Sequence, residues 1–179
     1  PTATDAQRLE FARSAAFFML RYGKDAKLAE EASKALDEVS GEAEETPAYT
    51  IAFVGLALVT EQLDDAQERI DDTPKEAQRD ADLLLLRGEL ELRRKKPSKA
   101  LRYLRDAALV RSGDPRILYS LAKAALLAGQ RREGRQAMAR VLELEPTHPL
   151  ALLAVAESKK EPKDIPAGLE LLARLTDAK

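Results

Sequence analysis

"LLLRGELELRRKKPSKALRYLRDAALV", residues 84–110, decides the fold. Four consecutive cations, Arg93, Arg94, Lys95 and Lys96, and then Pro97 separate two stretches rich in leucine and alanine. The pattern Leu84, Arg87-Gly88, Glu91, Ala100 and Leu104 returns 34 residues later as Leu118, Leu121-Ala122, Ala125, Gly134 and Met138. After 34 more it returns as Leu152, Val155-Ala156, Lys159, Gly168 and Leu172. Self-similarity at a fixed period of this length marks a chain built from stacked supersecondary units.

The small residues at 88, 122 and 156, and again at 100, 134 and 168, have a physical reading. Where two antiparallel helices cross, only Gly or Ala lets the backbones approach to the ~8–10 Å of close packing. Large apolar residues one turn away fill the groove. The cations then fall at the corner between two paired helices, and Pro97 suits the first turn of the second one, where its missing N–H costs nothing. "YGK" at 22–24 and "AGQ" at 128–130 read as equivalent corners, with Gly relieving the chain where a helix stops.

Upstream, Thr50, Phe53-Val54, Ala57, Ala66 and Ile70 lie one period before the Leu84 unit. "QRLEFARSAAFFMLRYG" (7–23) and "DAKLAEEASKALDEVSG" (25–41) read as a first helix pair ended by Gly41, and "GEAEETP" (41–47) absorbs a few extra residues. Five helical units are expected, at 5–41, 47–72, 81–112, 115–146 and 149–178, stacked as one domain over 1–179 with residues 165–179 as a cap. Pro1, in place of a methionine, reads as the start of a segment of a longer protein.

On these residues, together with Ala107 and the closing Pro146, the chain resembles the tetratricopeptide repeat family, whose unit is a helix–turn–helix of 34 residues. Residues 81–146 match best. Leu84 stands for the family's usual tryptophan, Glu91 for its tyrosine, and Gly134 and Gly168 for its alanine. The resemblance implies an all-α fold, a superhelical array of antiparallel helix pairs forming a tetratricopeptide-like α-solenoid. It also implies an adaptor or scaffold rather than an enzyme.

Composition agrees with that class. A charged content of 34% with only 4% aromatic residues favours helices built from Ala, Leu, Glu, Lys and Arg. There is no cysteine, which removes disulfides and thiolate chemistry and leaves both a cytoplasmic and a periplasmic setting compatible. The longest apolar run, 49–59, is about half the ~20 residues needed to cross a bilayer, and reads as buried helix. Net charge is −2, but residues 1–80 carry 18 acids against 9 bases and residues 81–179 carry 13 against 20. Such polarity steers a charged partner or favours head-to-tail contact between copies. The Ala-, Leu- and Arg-rich usage points to a bacterial assembly.

Candidate chemistry weighs little against repeat packing. His148, the only histidine, lies between Pro146 and Pro149 and reads as a loop spacer. With no second His and no Cys, zinc sites and nucleophilic triads lack their parts. Asp64-Asp65 and Asp71-Asp72 have no calcium loop around them and read as caps or solvated helix ends. No catalytic residue, cofactor or metal ligand is expected. Arg93 to Lys96 read as a solvated corner. Arg102, Arg105, Arg131, Arg132 and Arg135 read as convex-side arginines, and a nucleic-acid reading through them lacks interleaved aromatics and a basic pI, which is about 5.7.

In arrays of the family the first helix of each pair lines a concave groove that takes a peptide or helix of a partner. Carried onto this sequence, that places Arg13, Phe17, Leu20, Ile51, Leu58, Leu85, Glu89, Leu92, Tyr119, Lys123, Leu126, Leu153 and Glu157 at or near the groove. Most of the leucines are expected in the core. Phe17, Tyr119 and Lys123 stand out, since aromatic side chains become hot spots at interfaces. The clamp by which some members hold a chaperone's terminal carboxylate needs asparagines, and this chain has none. Self-association, with an acidic end packed on a basic one, is the second expectation.

Overall fold

The computed structural model describes residues 3–149, 151 and 152. Among them the regular structure is helical throughout. Eight α-helices follow in order: α1 (Asp5–Tyr22), α2 (Ala26–Asp37), α3 (Pro47–Val59), α4 (Leu63–Asp71), α5 (Ala81–Arg93), α6 (Pro97–Val110), α7 (Pro115–Leu127) and α8 (Arg131–Leu144). Short 3-10 turns occupy Gly41–Glu45 and Ala77–Arg79.

The helix boundaries repeat with the period of the sequence. Helices α3, α5 and α7 start at Pro47, Ala81 and Pro115, and α4, α6 and α8 at Leu63, Pro97 and Arg131, in steps of 34. The cause lies in the caps. Thr46, Asp80 and Asp114 precede α3, α5 and α7, and their side chains accept hydrogen bonds from the amides of Tyr49 (3.2 Å), Asp82 (2.8 Å) and Arg116 (2.9 Å). Each such cap contributes ~1 kcal/mol. At the other end of the pair, Glu61, Lys95 and Gly129 share a left-handed backbone, with φ of 65°, 59° and 78°. Only the glycine adopts it without the steric cost of a Cβ, about 1–2 kcal/mol for a residue that has one.

The amino-terminal pair departs from this register. A capping box joins Thr4 and Gln7 at the start of α1, which runs for 18 residues against 13 in α3, α5 and α7. It stops at Gly23, as its left-handed φ of 107° requires. Helix α2 is capped by Asp25 and ends at Asp37, short of the expected Gly41. The Glu38 amide bonds back to Lys34 and Leu36 carbonyls, Val39 turns into the core, and Gly41 instead opens the following 3-10 turn.

The chain divides into two compact units, Pro1–Arg94 and Lys95–Lys179. In the first, α3 is the centre: residues 50–52 and 54–59 are all buried. One apolar cluster joins Leu9, Ala12, Ala16 and Met19 of α1 to Ala32 and Leu36 of α2 and to Ala52 and Leu56 of α3. A second joins Val54 and Leu58 of α3 to Ala66 and Ile70 of α4 and to Leu83, Leu86 and Leu90 of α5. Gly55 lets α1 approach, because a Cβ there would stand 2.8 Å from the Cβ of Ala16.

In the second unit α7 packs against both α6 and α8. Leu101, Leu104, Ile117 and Val141 are fully buried. The small residues of the repeat meet as expected: a Cβ on Gly134 would lie 3.2 Å from the Ala122 carbonyl oxygen and 2.6 Å from Cγ of Leu126. Among the described residues no helix is long and apolar enough to cross a membrane.

Candidate partner-binding surface

In the second unit the accessible part of the anticipated groove is one face of α7. Asp114 fixes where that helix starts. Its carboxylate accepts from the Arg116 amide and is bridged by the guanidinium groups of Arg116 (2.6 Å) and Arg111 (3.3 Å). Burial works to raise the Asp114 carboxyl, but the hydrogen bonds and charge of Arg116, with Arg111, outweigh it and hold the group below the ordinary carboxylate range. Ile117, Leu118, Leu121, Ala122, Ala124 and Ala125 bury the remaining faces of α7.

Tyr119, Lys123 and Leu126 are left on successive turns of one face. Lys123 Nζ lies 5.7 Å above the Tyr119 ring, within cation–π range. The Tyr119 ring also meets the His148 ring, with centroids 4.9 Å apart and planes at 31°. Tyr119 and Lys123 are half-buried, while Leu126 is 39% and Leu127 66% exposed. The arrangement groups a half-buried aromatic ring, a cation and an apolar shelf on one helix.

In the first unit the anticipated residues are mostly packed. Ile51 and Leu58 belong to the core cluster against which Phe17 and Leu20 pack. Leu85 and Glu89 are buried, and Leu92 is half-buried. Arg13 reaches two carboxylates, Glu10 at 2.8 Å on its own helix and the buried Asp82 of α5 at 3.5 Å. Leu153 and Glu157 lie outside the described residues, as do Val155-Ala156, Lys159, Gly168, Leu172 and the capping helix expected at 165–179.

Two sequence readings change. The cations at 93–96 are only half solvated. Lys95 and Lys96 are exposed, but Arg93 pairs with Glu61, and the Arg94 guanidinium donates to Gln67 Oε1 (2.7 Å), Asp64 Oδ1 (3.1 Å) and the Leu63 carbonyl (3.2 Å). Both arginines thus brace the end of α5 against the start of α4. His148 is not a spacer but is 4% exposed, and its Nδ1 accepts a hydrogen bond from the Ala151 amide at 3.2 Å. It occupies the capping place of Thr46, Asp80 and Asp114, one period further on. The 34-residue register, applied to cap positions rather than to apolar ones, contained that signal.

Of the arginines expected on a convex side, Arg102, Arg131, Arg132 and Arg135 are exposed. Arg105 is tied across to α8, where Glu133 accepts from it at 2.9 and 2.6 Å and Gln130 at 2.7 Å. The acid pairs are partly engaged as well: Asp64 holds Arg94, and Asp71 accepts from Gln67 at 2.8 Å. Among the described residues no group of three or more His, Cys, Asp or Glu side chains converges on one point.

These features define an all-α helical-repeat protein with a solenoid fold. The fold is that of MamA, a tetratricopeptide-like helical-repeat protein. A structure of MamA residues 41 to the end, from Desulfovibrio magneticus RS-1, matches with a TM-score of 0.66 at 19% identity, covering 95% of this chain and 94% of that one. A crystal structure of MamA matches with a TM-score of 0.67 at 11% identity over 84% of this chain and 88% of the other. MamA of MSR-1 gives 0.61 at 16% identity over 95% of each. No family model and no curated protein matches the sequence.

Proposed function

We propose that this chain is a non-catalytic protein-interaction scaffold of the tetratricopeptide type, which binds a peptide or helix of a partner within a larger bacterial assembly. The observation that carries the proposal is the α7 face. Tyr119 and Lys123, both half-buried, and the exposed Leu126 lie on a helix whose other sides are filled, and the tyrosine ring contacts both His148 and Lys123. A side chain whose rotamer is already fixed loses little entropy on binding, so the surface is preorganised. The likeness of fold to MamA supports a scaffold role. On this reading Arg13, Phe17, Leu20 and Leu92 contribute to recognition within the first unit, on their own account.

The test is affinity capture from native lysate with the wild type and a Tyr119→Ala/Lys123→Glu variant, each shown by circular dichroism to be folded. A protein held by the wild type and lost by the variant supports the α7 surface, and direct titration of that protein then gives its affinity. Equal capture by both overturns it.

A second reading has its own observation. The charge polarity coincides with the division into units: residues 1–94 carry 21 acids against 12 bases, and residues 95–179 carry 10 against 17. The first unit of one copy is therefore electrostatically suited to the second unit of another, in head-to-tail assembly. Sizing at low and high salt tests it, because screening of exposed charges dissolves such an assembly.

A further inference from the structure

Four side-chain caps recur at steps of 34 residues, and the fourth is unlike the rest. Thr46, Asp80 and Asp114 offer a hydroxyl and two carboxylates, types of group whose ordinary titration lies outside about pH 5–8. His148 offers an imidazole, the side chain whose ordinary titration lies inside that range, and it is the only histidine of the chain. Its Nδ1 accepts from the Ala151 amide at 3.2 Å. An amide N–H can only donate, so this bond exists only while Nδ1 carries no proton.

The surroundings make protonation consequential. His148 is 4% exposed, and the helical turn it caps carries Ala151 and Leu152, both without exposure. Among the described residues, α7 brings two groups to this place. Tyr119, a neutral phenol at these pH values, lays its ring against the imidazole, and Lys123 holds its Nζ 5.7 Å from the centre of that same ring. The end of α8 brings Glu145, whose backbone carbonyl accepts from the His148 amide at 3.0 Å. Lys123 opposes a second positive charge nearby, and the Glu145 carboxylate favours one. The hydrogen bond separates the two states of the ring more sharply than either, because protonation sets one buried donor against another.

We propose that His148 is a proton-operated latch: acid breaks its bond to Ala151, loosens the turn at Pro149, Ala151 and Leu152, and withdraws the ring that supports Tyr119. The neutral imidazole is the form that caps, so the latch is closed at about pH 7.5 and opens as falling pH protonates the ring. Its effect on recognition rests on the α7 reading above. With Tyr119 no longer held, that surface is less preorganised and binds its partner more weakly in acid. The latch itself requires no partner. It is confined to this one repeat, because the caps at 46, 80 and 114 are of other chemical types.

The experiment is nuclear magnetic resonance of the whole chain, titrated from about pH 7.5 to about pH 5. The imidazole nitrogens report the protonation of His148, and hydrogen exchange at the Ala151 amide, corrected for its intrinsic rate, reports the latch. Exchange is expected to rise at least about tenfold along the same curve as protonation, with the Tyr119 ring resonances moving in step. His148→Asn supplies a capping oxygen that does not titrate, and should keep Ala151 protected throughout, whereas His148→Ala should leave it unprotected at both ends of the range. A His148 that remains neutral at about pH 5 overturns the proposal. So does protonation that leaves Ala151 protected, or a loss of protection that His148→Asn shares. For recognition, the protein captured through the α7 surface should bind the wild type about threefold or more weakly in acid, and His148→Asn equally at both ends. Unchanged binding by the wild type overturns the link to recognition. Failure of the α7 surface in its own test leaves the exchange measurement intact, so the two failures are read separately.

Discussion

Two close helix approaches, one in each unit, rest on glycine for different reasons. In the first unit Gly55 admits Ala16 of α1, whose Cβ is backbone-anchored and cannot move aside. In the second, Gly134 lies under Leu126, a flexible side chain 39% exposed, and the Ala122 carbonyl oxygen, at 3.2 Å from a Cβ placed there, is the rigid one of the three nearest atoms. The period foresaw the second approach and not the first. Gly55 falls one period before Glu89 and two before Lys123, places the family resemblance assigns to a groove. A groove position in one repeat is thus a packing position in another, according to what lies over it.

The largest effects test the cores on which both approaches depend. Leu58→Ala in the first unit and Leu104→Ala in the second remove side chains with no exposure and are each expected to cost about 2–5 kcal/mol in denaturant unfolding. The contrast between the glycines comes next. Gly55→Ala should destabilise by about 1–3 kcal/mol, with Ala16→Gly on the same background restoring part of the loss. Gly134→Ala should fall within about 1 kcal/mol of wild type, because Leu126 can swing outward while alanine gains helix propensity. Equal costs at the two sites would break the comparison.

The repeated caps and corners give smaller effects. Asp114→Ala should lose ~1 kcal/mol from the start of α7. Because the Asp114 carboxyl titrates below its ordinary 3.8 in the folded chain, the stability it adds is present above about pH 4 and lost as pH falls through the depressed value. Urea unfolding from pH 7 down to pH 2, in wild type and Asp114→Asn, checks the sign: the variant should lose less stability below pH 4. At the corners, Lys95→Gly should stabilise and Gly129→Ala destabilise, each by about 1 kcal/mol, since both positions hold a left-handed φ. Smallest of all, Arg105→Ala should cost no more than about 1 kcal/mol at low salt and less at high salt, as an exposed ion pair with Glu133 predicts.

The repeat was legible because its causes are local. Apolar residues and the small residues between them act within a few residues of themselves, and recurrence at 34 gave them weight. The same register shows what an apolar period misses. His148 caps as Asp114 does, yet imidazole is not a usual capping group, and Glu61 and Lys95 turn the corners that Gly129 turns without announcing it by residue type. The accessible part of the candidate surface was only partly legible: Leu126 is exposed and Tyr119 and Lys123 are half-buried, whereas Ile51, Leu58, Leu85 and Glu89 are buried.

The helices, the period and the charge polarity follow from residue type and near neighbours along the chain. Tertiary structure decided which face of each helix stays in water. It turned Arg93 and Arg94 into braces, placed His148 against Tyr119 and left the α1 aromatics uncovered. Burial depends on which helix arrives from elsewhere in the chain, and amphipathic periodicity specifies that a face will be covered without specifying by what.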